Sequence, residues 1–119
     1  MPKIDEFQIQ RAVCIFLTKH ARPDVVWWHT PNGGLRGAEE AKRFKQMGVR
    51  AGVPDLLLLR QGRLYGLELK QPGGHLSPSQ VALHPQLLAS GMAGIATVDN
   101  LAAARMQLFV WGIVDNPHL

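Results

Sequence analysis

Two carboxylates and an ammonium group meet on one side of a short predicted hairpin, a set of charges suited to holding a divalent cation. The two runs are Gly52-Val53-Pro54-Asp55-Leu56-Leu57-Leu58-Leu59 and Leu64-Tyr65-Gly66-Leu67-Glu68-Leu69-Lys70. Between them, Arg60-Gln61-Gly62-Arg63 reads as a turn with glycine at its second central position, where a positive φ costs little. With Gln61-Gly62 as the loop, residue 60 faces 63, 59 faces 64, and Asp55 faces Glu68. Directly opposed residues hold their Cβ atoms about 4.5–5.5 Å apart, and like charges at that spacing repel. Lys70 lies two residues beyond Glu68 and so projects from the same face. The rest of the hairpin is largely Leu, Tyr and Gly, so the acid pair needs compensation, and a divalent cation is the obvious candidate.

The elements that must carry these groups alternate along the chain. Asp5 to about His20 reads as a helix, with Asp5 as cap and Gln8 at capping-box spacing. Its apolar stripe is Ile9, Val13, Phe16 and Leu17. A strand is predicted over residues 25–30, closed by the Pro31-Asn32-Gly33-Gly34 turn. Ala38 to Met47 suits a short helix that stops at Gly48. The hairpin strands are apolar on both faces away from the acids, as expected of strands covered on each side. Ser77-Pro78-Ser79-Gln80 opens another helix, with proline at its first position. Pro85 is expected to kink that helix or end it early. A strand from Met92 to Val98 and a helix from Leu101 to about Val114, capped by Asp99 or Asn100, complete the pattern. Such alternation predicts an α/β fold, a mixed sheet with helices on both faces.

The 119 residues fit a single domain (1–119), and 46% apolar content supports a real core. Thirteen Lys and Arg against nine Asp and Glu give a net charge of +4, with pI near 9.7, in the range of nucleic-acid binders. Twelve of those thirteen basic residues fall within residues 1–70, so the positive charge is concentrated beside the hairpin. An ordinary solvated basic surface gives the same totals. Cys14 is the single cysteine, which rules out an internal disulfide and suits a reducing compartment. The first residues lack the apolar core of a signal peptide, and the apolar run Leu108 to Val114 is too short to span a bilayer. A soluble cytoplasmic protein without membrane association is expected. The five histidines have no zinc-ligand spacing. No glycine-rich phosphate loop occurs, so a nucleotide cofactor is not expected. Trp27, Trp28 and Trp111 lie in apolar runs and read as core or interface.

Pro54-Asp55, a gap, then Glu68-Leu69-Lys70 resembles the PD-(D/E)xK nuclease core. Gly48-Val49-Arg50-Ala51-Gly52-Val53 before it, Thr30-Pro31-Asn32-Gly33-Gly34 upstream and Leu76-Ser77-Pro78-Ser79-Gln80 downstream fall in the order of the VRR-NUC branch, the virus-type replication-repair nucleases. The resemblance extends from Glu6 to about Val98. It implies a restriction-endonuclease-like fold and a stand-alone, metal-dependent DNA endonuclease using Mg²⁺, with Mn²⁺ able to substitute. Family members of this size look like homodimers acting on branched DNA such as four-way (Holliday) junctions, which implies DNA repair in a bacterial or phage-infected cell. The alternatives are a flap- or nick-directed nuclease and a nucleic-acid-binding subunit without turnover.

Particular residues take roles under this resemblance. Asp55 and Glu68 become metal ligands, the Leu69 carbonyl an additional ligand, and Lys70 the group that orients the attacking water or stabilises charge on the phosphate. Glu6 heads the Ile9, Val13, Leu17 stripe, so it points inward, and an N-terminal-helix Glu joins the metal site in such families; the helix macrodipole alone also favours an acid there. Gln80 matches a family glutamine beside the active site, but Ser77 and Gln80 also form a capping box, and one side chain cannot serve both well. Arg36, Lys42, Arg43, Lys45 and Arg50 are candidate phosphate contacts, with a solvated helix face as the alternative. Asn32, with Gly33 and Gly34, is a candidate for backbone approach to a phosphate. The terminal segment containing Met106, Leu108, Phe109, Val110, Trp111, Ile113 and Val114 is apolar almost all around a helix, which suggests either a dimer contact or burial in the monomer core.

Overall fold

The computed structural model describes residues 4–31 and 37–118. Helix α1 (Glu6–His20) starts at a reciprocal cap: the Gln8 amide donates to Asp5 Oδ1 at 2.8 Å, and the Asp5 amide donates to Gln8 Oε1 at 2.9 Å. Its stripe Ile9, Val13, Phe16 and Leu17 is buried. Strand β1 (Val26–His29) follows, then helix α2 (Ala38–Gln46), which fully buries none of its side chains. The hairpin comprises β2 (Leu56–Arg60) and β3 (Arg63–Leu69). Gln61 and Gly62 have φ of 51° and 76°, the paired positive angles of a type I′ turn. Its register is the one predicted, from Arg60 opposite Arg63 to Leu56 opposite Leu67.

Helix α3 (Pro78–Ala89), strand β4 (Gly94–Val98) and helix α4 (Leu101–Val110) complete the fold. The sheet order is β1-β2-β3-β4, with the first three strands antiparallel and β4 parallel to β3. Parallel pairing demands a crossover, and α3 supplies it. The pleat then divides the hairpin between two faces. Leu56, Leu58, Tyr65, Leu67 and Leu69 point to the face covered by α1 and α4, where they join Ala104, Leu108, Ile113 and Val114 in one core. Each fully buried leucine there contributes roughly 1.5–3 kcal/mol relative to exposure. Glu68 alternates with Leu67 and Leu69 and so faces the other side, where α3 lies. This is the predicted mixed sheet flanked by helices.

Two expectations about where helices end are not met, each for a local reason. The last helix stops at Val110 rather than running to Val114. Gly112 adopts φ 74°, its amide bonds to the Phe109 carbonyl at 2.9 Å, and the Ile113 amide bonds to the Leu108 carbonyl at 2.9 Å. That is a Schellman stop, which a left-handed glycine makes cheap. Ile113 and Val114 therefore leave the helix and are buried, with Val114 bridging to Ala21. Helix α3, by contrast, does not end early at Pro85 but continues to Ala89. Pro85 sits on the solvent side, beside exposed Val81, so water can reach the carbonyl that loses its partner. The cap of α4 is Asn100, whose Oδ1 accepts from the Ala103 amide at 2.8 Å.

Candidate metal centre

The hairpin turn sets the first half of the site. Asp55 immediately precedes β2 and Glu68 lies near the end of β3; both are buried, Glu68 completely. Asp55 is pinned from several directions. Its Oδ2 accepts from the Leu69 amide at 2.8 Å, and its carbonyl accepts from the Thr30 amide at 2.9 Å and from the His29 ring at 2.8 Å. His29 is thus an exposed structural brace behind Asp55. The Leu69 side chain enters the core, leaving only its backbone to serve the site.

Helix α1 provides the third carboxylate. A ligand oxygen from each of Glu6, Asp55 and Glu68 lies within 4.8 Å of the others, and this is the acid group able to hold a metal among the described residues. Glu6 stands at the rim, on the first turn after the Asp5 cap. Partial burial raises its pKa, the nearby Asp55 charge raises it further, and Lys70 lowers it. Glu68 is pushed up to about 9, first by burial, then by the Asp55 carboxylate beside it, with Lys70 again opposing. Lys70 is half buried, and its amide donates to the Val98 carbonyl at 2.9 Å.

A hard divalent cation fits this donor set. Both Glu68 oxygens are buried without a hydrogen-bond partner among the described residues, so a proton or a cation must compensate them. The convergent donors are carboxylate oxygens, which suit Mg²⁺ or Mn²⁺ rather than a thiolate- or imidazole-seeking metal.

The remaining candidates separate. Gln80 is buried, but its Oε1 accepts from the Ser77 amide at 2.7 Å while its own amide meets Ser77 Oγ at 3.3 Å. The capping role is the one this geometry satisfies, and only the side-chain nitrogen remains for other contacts. Lys42, Arg43 and Lys45 are exposed on α2, and exposed Arg50 reaches Gln86 Oε1 at 3.4 Å. Asn32 and Arg36 lie outside the described residues. One neighbour escaped the sequence reading: His84, on α3, whose Nε2 lies 3.5 Å from Glu68 Oε1. Its spacing of four residues from Gln80 puts both on one helix face, which was the available signal.

No family model matches the sequence, and no curated protein does. The structure does have a counterpart. A solved structure described as a VRR_NUC domain protein is similar to this chain with a TM-score of 0.69, covering 92% of this chain and 91% of its own, at 20% identity. The fold is that of a VRR-NUC domain. The mixed four-stranded sheet with its flanking helices is accordingly restriction-endonuclease-like. On the VRR-NUC fold seen here, the acid cluster lies where the hairpin strands and the start of α1 converge. Among the described residues no helix is long and apolar enough to cross a membrane.

Proposed function

We propose that the protein is a metal-dependent DNA endonuclease that hydrolyses phosphodiester bonds and selects branched DNA such as four-way junctions. The observation that carries this reading is the trio Glu6, Asp55 and Glu68 gathered within 4.8 Å beside Lys70 on a VRR-NUC fold. Asp55, Glu68 and Glu6, with the Leu69 carbonyl, are the residues that would hold Mg²⁺ or Mn²⁺. The chemistry such an ion supplies is Lewis-acid polarisation of the phosphoryl oxygens and activation of a water. The Leu69 amide holds Asp55 Oδ2 and leaves Oδ1 available. Lys70 orients the attacking water or offsets charge on the phosphate. Lys42, Arg43, Lys45 and Arg50 hold the DNA backbone without reading its sequence. The test is incubation of the pure protein with labelled linear, flap and four-way DNA, with and without Mg²⁺. Mg²⁺-dependent cutting that favours the four-way substrate is expected. Preference for flaps would replace the branched-DNA reading, and tight binding without cutting would make the protein a binding subunit.

A homodimer belongs to the same proposal. Leu108, Ile113 and Val114 are spent on the monomer core, but Met106, Phe109 and Val110 remain 48%, 43% and 68% exposed on α4. Covering that face with a second copy would set two sites in opposed orientation, as paired cuts in a symmetric junction require. Light scattering at micromolar concentration should give twice the chain mass of 13.1 kDa; the single-chain mass would remove the dimer.

A further inference from the structure

The three carboxylates of the candidate site are not held equally. Asp55 is fixed by the Leu69 amide, and Glu6 stands at the rim of the site. Glu68 is completely buried, yet among the described residues neither of its oxygens has a hydrogen-bond partner. From α3 it is met by His84, itself 7% exposed, with Nε2 at 3.5 Å from Glu68 Oε1 and likewise without a hydrogen-bond partner among the described residues.

The ring of His84 lies against the Gly52 backbone, which favours its protonated form while burial opposes it. Gly52 can take this position because it lacks a side chain. Its φ is 96°, and a Cβ there would sit 2.5 Å from the Ser79 carbonyl oxygen in the first turn of α3. The loop that leads into Asp55 is therefore pressed against the start of the helix that carries His84. His84 stands outside the group of three whose ligand atoms lie within 4.8 Å of one another, so it is placed behind Glu68 rather than among the ligands.

We propose that His84 is a positioning residue of the metal site: held on α3 against the Gly52 loop, it takes up Glu68 Oε1 and so fixes the orientation in which the Glu68 carboxylate meets the cation. This rests on the metal-site reading above. Outer partners of this kind orient ligating carboxylates, and their loss typically weakens metal binding about 10–100-fold.

The test is Mn²⁺ titration of metal-free protein by calorimetry, with the spin-resonance signal of bound Mn²⁺ as a second readout and melting without metal as the folding control. His84→Leu keeps the volume but no polar atom, and is expected to bind Mn²⁺ about 10–100-fold more weakly. His84→Gln reaches as far as Nε2 and should recover most of the affinity. His84→Asn reaches only as far as the Gly52 side of the ring and should not. The Gln and Asn variants keep a polar side chain in the slot, so their comparison decides the matter even where the leucine variant melts early. Equal Mn²⁺ affinity in the Gln and Asn variants, or an unaltered affinity in a folded His84→Leu protein, would overturn the positioning role. A wild type that binds no Mn²⁺ would instead sink the metal site itself.

Discussion

Lys70→Ala should lower the cleavage rate at saturating DNA by at least about a hundredfold, the scale of losing a group that stabilises transition-state charge, while DNA affinity barely changes. The side chain lies close enough to the acids that its charge lowers the pKa of both Glu6 and Glu68. It is also only one of thirteen basic residues, so it adds little to the total attraction for a polyanion. The double change Lys42→Ala with Arg43→Ala should do the reverse. Both residues are exposed on α2, which has no fully buried side chain of its own to disturb. Binding should weaken, and the salt dependence of log K should flatten by up to about two units of slope. Filter binding across a salt series and single-turnover cleavage separate the two effects. Loss of affinity in Lys70→Ala together with wild-type binding in the α2 variant would invert the assigned roles.

The second large effect is a pH-dependent stability that metal removes. Glu68 holds its proton in the folded, metal-free protein up to about pH 9, whereas the unfolded chain releases it near the ordinary glutamate value of 4.5. Between those limits the folded state binds the extra proton, so stability falls as pH rises, by up to about 1.4 kcal/mol per pH unit. The contribution is complete below the unfolded pKa and gone once pH passes the folded one. His84 acts oppositely: burial lowers its pKa from 6.5, so its contribution is lost as pH falls below that value. Glu68 therefore dominates above pH 7, until Cys14, whose pKa burial raises from 9.0, adds a fall of the same sign as pH nears 9. Melting curves there should show falling stability without metal, and Glu68→Gln should remove most of the slope. Millimolar Mg²⁺ or Mn²⁺ should raise the wild-type melting point, since a ligand at a hundred times its Kd adds about 2.7 kcal/mol. Asp55→Asn should blunt that rise and Glu68→Gln should largely abolish it. A wild-type melting curve indifferent to both pH and metal would leave no role for the acid cluster.

What the sequence determined by itself is what short-range hydrogen bonding determines. The Gln61-Gly62 loop sets the register of the hairpin, because a two-residue turn with two positive φ angles leaves one pairing open to the strands. The caps at Asp5, Ser77 and Asn100 are decided within four residues of chain. Gly112 was an equally local stop, and the apolar run through Val114 obscured it because the same residues that suit a helix also suit a core. Tertiary structure alone decided which distant groups meet. Glu6 reaches Asp55 and Glu68 only because the α1 stripe docks on the sheet. His84 reaches Glu68 only because the crossover to a parallel strand lays α3 over the face that Glu68 occupies, with Gly52 wedged against its first turn. Gln80 could be read from sequence as either a cap or a site residue, and its Oε1 goes to the cap, whose partner Ser77 is three residues away and already in place when the helix forms.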